Sequence, residues 1–321
     1  MISILMPAYN AEEYIENSIN SILKQTYTNF ELLICDDCST DNTWEKIGLF
    51  NDSRIKTYRN SENLGYLKTS NLLLSKSKGS YISFQDADDY SLSTRLDLLV
   101  SYLTAHDLDL VGSYCATFVK DNQPLSIIKY PTDNDDIYND ILTKPYPPFC
   151  GSAILTTRKV ITECGLYDEK FDRIGAEDYD WLYRVSLNNF RMGNISESLY
   201  YYRQHYTGVS KTNFKKNILA MYSVNIAKDL YLARLNNHVD INFECLSLKY
   251  LENEAINNEN LLYTELDIKL LGERKRIPKE LYSFLVKSSF SKRKIKMTIL
   301  GFSTLLLGYK RTERVKNIFR N

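Results

Sequence analysis

The sequence predicts an α/β protein: a mainly parallel sheet with helices on both faces, followed by a C-terminal helical region. Three observations carry the prediction. Short apolar runs alternate with helix-period segments through about the first two-thirds of the chain, which is the pattern of repeated βαβ units. Each run ends in a polar loop. Beyond Ser210 the β-branched runs stop and helical patterns continue alone. A boundary near Ser210 therefore divides a domain at 1–210 from a helical region at 211–321.

The elements follow in order. Ile2–Met6 is a short apolar strand, broken by Pro7-Ala8-Tyr9-Asn10. Asn10 and Glu13 have capping-box spacing. Ile15, Ile19, Ile22 and Leu23 then recur at i, i+4, i+7 and i+8, one buried helix face. Phe30–Cys35 is a second strand, running into Asp36-Asp37-Cys38-Ser39-Thr40-Asp41. Ile55–Arg59 is a third, Asn63-Leu64-Gly65 a turn, and Leu67–Ser77 a helix with Gly79 at its C-terminal end. Tyr81–Phe84 is the fourth strand. A helix follows on Leu96, Leu99, Val100 and Leu103, then a strand at Leu108–Cys115 and a hairpin over Thr117–Ile128 turning near Asp121-Asn122. Thr132–Asp140 is an acidic loop or helix. Pro145–Pro148 leads into Cys150-Gly151 and an apolar strand at Ala153–Leu155. Gly175-Ala176-Glu177-Asp178 opens a helix through Leu187. Tyr200–His205 closes the domain, and 214–236 and 243–272 read as helical.

In a sheet of this kind ligands lie outside the carboxyl ends of the strands. Three loops converge there: PAYN, DDCSTD and DADD. The fourth strand ends in Asp86, Asp88 and Asp89, three carboxylates that repel one another. A divalent cation shared with substrate phosphates would compensate them; a polar loop in which Asp88 caps the next helix is the plainer alternative. Neither a dinucleotide glycine fingerprint nor a G-x-x-x-x-G-K-[ST] loop is present, so phosphates are not expected on a glycine loop and the acids call for a metal.

Composition narrows the class. With 44% hydrophobic and 25% charged residues the chain reads as soluble and globular. Forty basic and forty acidic residues cancel, but from Lys287 onward ten Lys/Arg stand against one acid, Glu313, a net of +9 that leaves −9 on the rest. A basic end on an acidic body suggests an anionic partner, membrane surface or nucleic acid. Six scattered cysteines argue against a disulfide framework. Cys35 and Cys38 form a C-x-x-C, yet the intervening acids would raise the thiol pKa rather than lower it, so it reads as coincidence. No secretory signal opens the sequence and no apolar stretch reaches the ~20 residues of a membrane span; a cytoplasmic protein is expected.

Taken together, PAYN (7–10), DDCSTD (36–41), NLG (63–65), DADD (86–89), AED (176–178) and YRQH with Ser210 (202–210) resemble the family 2 glycosyltransferases, inverting enzymes of the GT-A fold. The resemblance implies roles. Pro7, Ala8 and Tyr9 line the nucleotide pocket, with Tyr9 against the base. Asp37 accepts from uracil N3–H, with Asp36 in support. Asp86 binds ribose or metal, Asp88 coordinates Mn²⁺ or Mg²⁺, and His205 approaches the pyrophosphate or its metal. Asp178 is the general base, with Asp180 its competitor. Three positions depart from the family's pattern: Cys38 replaces the usual glycine, Ser70 replaces an arginine for which Lys68 offers a substitute charge in the donor site, and Asp89 is either a second ligand or a helix cap.

The implied activity is metal-dependent transfer of a sugar, a hexose or N-acetylhexosamine, from a nucleotide sugar with UDP as the nucleotide. The acceptor is a hydroxyl of a glycan or lipid-linked molecule in surface polysaccharide or lipooligosaccharide synthesis. Met297–Tyr309, flanked by basic clusters, is too short to span but suits a membrane interface. That reading places the protein peripherally on the inner face of the plasma membrane, with anionic lipid rather than nucleic acid as partner; a docked helix or second subunit is the competing reading. Two other functions are set beside this one: a sugar-nucleotidyltransferase, which would open with a glycine- and arginine-rich loop where PAYN stands, and a non-catalytic nucleotide-sugar-binding subunit.

Overall fold

A computed structural model of the chain describes residues 1–119, 124–204, 218–237 and 241–251. Its elements are β1 (Ile2–Ala8), α1 (Ile15–Leu23), β2 (Phe30–Asp36), α2 (Thr43–Ile47), β3 (Ile55–Arg59), α3 (Tyr66–Lys76), β4 (Tyr81–Phe84) and β5 (Tyr90–Ser91). They continue with α4 (Arg95–Ala105), β6 (Leu110–Phe118), β7 (Pro124–Ile128), α5 (Asn134–Thr143), β8 (Leu155–Thr157), α6 (Arg158–Cys164), α7 (Glu177–Leu187) and β9 (Met192–Arg203). Two later helices are α8 (Ser223–Leu235) and α9 (Phe243–Leu251).

The strand order is β3-β2-β1-β4-β8-β6-β9-β5, with β7 on β6. From β3 to β4 every pairing is parallel. Beyond β4 the sheet is mixed: β8 runs antiparallel to β4 and β6, β9 parallel to β6, and β5 and β7 antiparallel to their partners. The expected hairpin at Thr117–Ile128 is the β6–β7 pair; its turn falls outside the described residues.

Strand period decides the core. Every residue of β1 and β2 is buried, and alternate side chains point to opposite faces. Ile4, Met6, Leu32 and Ile34 join one cluster with α1 and α4, whereas Leu5, Leu33 and Cys35 join another with α3 and α7. Continuous apolar runs are what a parallel strand covered on both faces requires. Helices α8 and α9 also pack into the second cluster, through Ile226, Leu230 and Leu246. The boundary expected near Ser210 lies outside the described residues, as does all of 252–321.

Several local expectations change. Strand β1 does not stop at Met6 but runs through Pro7, paired with Cys35, to Ala8, paired with Asp36. Leu5 O accepts from Gln85 N on the β4 side, while Ala8 O accepts from Asp37 N on the β2 side. Pro7 therefore faces the β4 side after β4 has turned away, so its missing N–H costs no ladder bond. Asn10 does not cap α1, which begins behind Tyr14 with no side-chain cap. Instead Asn10, at φ 48°, accepts from Thr40 N at 2.9 Å. Gly79 is not a helix cap either: a Cβ there would stand 2.5 Å from Ser3 N, so the residue is needed for close passage past β1. The acidic stretch at 132–140 resolves into α5, whose Asp133 caps it by accepting from Asp136 N. The apolar strand expected at Ala153–Leu155 shifts to β8, behind a 3₁₀ turn at Gly151–Ala153.

Candidate active site

The loops after β1 and β2 are tied to each other by side chains. Asn10 N donates to Ser39 Oγ at 3.0 Å and Ala11 N to Thr43 Oγ1 at 2.8 Å. Glu12 N donates to Asp41 Oδ2 at 3.1 Å, and Asn42 N to Glu12 Oε2 at 3.0 Å. Asp37 is the hub of the next layer. Its Oδ1 accepts from Leu64 N and Asn60 Nδ2, both at 2.8 Å, and its Oδ2 from Gly65 N at 2.8 Å. The predicted Asn63-Leu64-Gly65 turn is thus folded onto this carboxylate, with Gly65 at φ 92°, a conformation that glycine takes at no steric cost. Of about four lone-pair sites on a carboxylate, the three bonds among the described residues leave one, on Oδ2. Asp36 lies behind, fully buried, with Oδ2 on Arg59 Nε at 3.1 Å and Ser39 N at 3.3 Å. Cys38 keeps the glycine-like turn by adopting φ 61°, so the substitution is absorbed as backbone strain. Burial and the two neighbouring acids push the Cys35 thiol up to about 12, which leaves the C-x-x-C without a reactive thiolate at this position.

The acidic loop after β4 gathers three carboxylates, Asp86, Asp88 and Asp89, within four residues. Asp86 accepts from Tyr66 Oη at 3.2 Å and from Ser152 Oγ at 2.6 Å. Burial, then the charge of Asp88, nevertheless pushes it up to about 6. Asp89 does not cap α4, whose N-cap is Thr94. It is buried beneath the loop and accepts from Arg203 N at 2.7 Å, tying the loop to the end of β9; burial, then Asp88, raises it well above the carboxylate range. Arg203 Nε in turn donates to Asp88 O at 2.7 Å.

Asp178 lies in the first turn of α7, behind Gly175 and Ala176, both at positive φ. Its Oδ1 accepts from Tyr179 N at 2.9 Å. Burial raises it, and burial followed by the charge of Asp178 raises Glu177. Asp180, two residues on, belongs to a different environment. It is fully buried and ion-paired with Arg184 at 2.9 Å and Arg234 at 2.7 Å. Trp181 and Leu182 anchor the helix in the core as the sequence suggests.

Residues 3–165 match the family described as Glycosyl transferase family 2. This chain belongs to that family. The UDP-Glc:alpha-D-GlcNAc-diphosphoundecaprenol beta-1,3-glucosyltransferase WfgD of Escherichia coli is 34% identical over 218 residues, 67% of this chain and 82% of that protein. The similarly named WfaP, also from Escherichia coli, is 31% identical over 68% of this chain and 83% of its own. Among solved structures, S. aureus TarS 1–349 shares the fold with a TM-score of 0.57 at 22% identity, over 96% of this chain and 91% of that one. The Pyrobaculum calidifontis mannosyltransferase PcManGT, solved with GDP-Man and Mn2+, gives 0.55 at 16% identity, over 100% and 87%. The chain is therefore a glycosyltransferase with the expected GT-A fold, and not a sugar-nucleotidyltransferase.

In this glycosyltransferase Pro7 and Ala8 are buried in β1, and Tyr9 is 49% exposed at its end. Lys68 is committed to Asp172, at 3.1 Å, and that acid also packs under Gly65. His205 lies outside the described residues. The sequence reading missed four groups that hold the acidic loop: Tyr66, Ser152, Tyr200, whose hydroxyl accepts from Asp86 N at 3.1 Å, and Arg95. Only Arg95 left a readable signal. It shares the helical face of Leu99 and Leu103, a charge at a core position, and a fully buried arginine must find partners.

Proposed function

We propose that this glycosyltransferase moves a hexose or N-acetylhexosamine from a UDP-sugar to a hydroxyl of a glycan or lipid-linked acceptor, inverting the anomeric centre. The observation that carries the reading is that Asp86 and Asp178 meet the same short turn: Ser152 Oγ donates to the first, and a Cβ on Gly151 would lie 2.5 Å from Oδ2 of the second. A donor-side carboxylate and a candidate base thus share one site. WfgD and WfaP are named for UDP-Glc and an undecaprenol-linked acceptor, and TarS has been solved with UDP-GlcNAc; these relatives support the donor and acceptor classes. The free lone pair of Asp37 supports uracil, whose N3–H is a single donor of matching kind.

Asp86 and Asp88 are hard oxygen ligands, and they fit Mn²⁺ or Mg²⁺. Among the described residues no group of three or more His, Cys, Asp or Glu gathers around one point, so substrate phosphate and His205 would complete the set. When bound, such an ion offsets charge growing on the leaving diphosphate. Asp178 takes the acceptor hydroxyl's proton as the sugar passes through an oxocarbenium-like state. Its burial-raised affinity for a proton suits a base. Asp37 and the loops knitted to it hold the nucleotide still.

Among the described residues no helix is long and apolar enough to cross a membrane. The basic tail at 287–321 lies outside them; its +9 charge and the lipid-linked acceptors named for relatives support peripheral attachment to anionic lipid. Calorimetry with UDP and GDP in the presence of Mn²⁺ tests the donor: UDP should bind well and GDP poorly, and equal affinities would sink the uracil assignment. A hydrolysis screen of nucleotide sugars would then name the sugar.

A further inference from the structure

The turn Gly151–Ala153 touches both halves of the reaction, and the fold anchors it from behind with a buried cation. Arg95 is fully buried. Its guanidinium donates to Ser83 Oγ at 2.9 Å and Phe84 O at 3.0 Å at the end of β4, and to Gln85 Oε1 at 3.3 Å and Ser91 Oγ at 2.8 Å around the acidic loop. Its fifth bond, 2.8 Å long, goes to Ser152 O. The ring of Tyr200 lies 5.0 Å away under the same group. Through its two terminal nitrogens this planar, always-charged group therefore fastens the 151–153 turn to the strand end that carries Asp86.

From this we infer that the turn is a positioning element with two separable arms. Ser152 sets Asp86 through its hydroxyl, Gly151 sets Asp178 by leaving room for it, and Arg95 holds the two in register. Each acts through a carboxylate whose role belongs to the function proposed above, so the inference rests on that reading.

Geometry predicts what each arm controls. Losing the Ser152 hydroxyl removes a 2.6 Å bond to a carboxylate and leaves Asp178 untouched. A methyl at Gly151 would meet Asp178 Oδ2 at 2.5 Å, closer than real contacts allow, and crowd its Cβ at 3.2 Å, so the carboxylate must move while Asp86 stays. A generally loosened fold would instead weaken nucleotide binding and turnover together.

The experiment measures UDP affinity by calorimetry with and without Mn²⁺, and separately kcat under saturating donor, for Ser152→Ala, Ser152→Thr and Gly151→Ala. Ser152→Ala should weaken Mn²⁺-dependent UDP binding by roughly 10-fold, the loss of one hydrogen bond to a charged group, and Ser152→Thr should restore it. Gly151→Ala should leave that affinity in place and lower kcat by roughly 10²-fold, the cost of a misplacement near 1 Å. Arg95→Met should impair both and lower the melting temperature; if it fails to fold, the other variants still decide. Parallel losses of affinity and kcat in Ser152→Ala and Gly151→Ala, or no loss in either, would overturn the inference. Asp178→Asn run alongside keeps the two levels apart. If it is inactive while Gly151→Ala is normal, the inference falls and the proposed function stands. If it turns over normally, the base assignment falls and takes the Gly151 arm with it.

Discussion

The two ends of the site treat their acids in opposite ways. At the β1–β2 end the chain answers its own charges: Asp37 accepts three hydrogen bonds and Asp36 is paired with Arg59. At the β4–α7 end Asp86, Asp89, Glu177 and Asp178 are all raised by burial, and the cation packed beneath, Arg95, spends its bonds on hydroxyls, an amide and carbonyls. The first end is a scaffold knitted by these bonds, with only Asp36 Oδ1 buried and unpaired among the described acids there. At the second, burial makes the carboxylates costly to ionise, a cost that a cation, a phosphate-bound metal or a proton would relieve. Such local cost is what functional sites characteristically carry.

The largest expected effect tests this contrast within a single helix. Asp178→Asn should lower kcat by roughly 10²–10⁴-fold, the contribution of a general base, with UDP affinity nearly unchanged. Asp180→Asn should leave per-molecule turnover close to normal but cost about 2–4 kcal/mol of stability, because it strips a buried partner from Arg184 and Arg234. Steady-state kinetics beside thermal melts separate the two. A well-folded but inactive Asp180→Asn with an active Asp178→Asn would reverse the assignment.

Next in size is the acidic loop itself. Asp88→Asn should abolish Mn²⁺-dependent UDP binding and transfer, and EDTA should do the same to the unaltered protein. Full transfer in EDTA would show that the acidic loop serves something other than a metal.

The metal-free protein should also show the charge in its pH dependence. Asp86 titrates near 3.8 in an ordinary setting and about 6 here. Between those values the folded form holds a proton that the unfolded chain has released, so stability should rise as pH falls from 7 toward 5. Asp86 alone should contribute roughly 1–2 kcal/mol, with Asp178, also pushed up to about 6, adding its own share, and Asp86→Asn should remove only the first part while stabilising the apo protein at pH 7. Melts across that range, without metal, would show it; an unchanged slope in Asp86→Asn would assign the effect elsewhere.

The smallest effect belongs to the scaffold end. Cys38 occupies a left-handed conformation at φ 61°, so Cys38→Gly should stabilise by up to about 1 kcal/mol through relief of that strain, without altering turnover. Destabilisation would mean that the thiol, which lies 3.6 Å from Ser61 O, matters more than the backbone does.

Strand period and strand-end chemistry were enough to read the parallel half. In β1 and β2 alternate residues had to find cover on both faces, and the runs of Asp at 36–37 and 86–89 could only sit where strands end. The resemblance carried by those same loops named the family. What the sequence could not determine was any pairing made at long range. β9 spans Met192–Arg203, but Ser196 and Glu197 are exposed and interrupt its pattern, so no strand was read there and Tyr200–His205 stood out only as a motif. β5 is two residues long and exists only because Tyr90 and Ser91 meet Tyr201 and Tyr200. The capping box at Asn10 was a sound local rule overruled by a distant partner, Thr40. Asp178 and Asp180 look alike in sequence, one at the start of a helix and one two residues on. Their difference lies in what packs around them: a glycine turn tied to the end of β4 by Arg95 of α4, and two arginines, one of them 54 residues away along the chain. Local propensity fixes elements and their ends because it acts between neighbours. Which carboxylate is left exposed to chemistry and which is locked in the core depends on contacts that exist only once the sheet has closed.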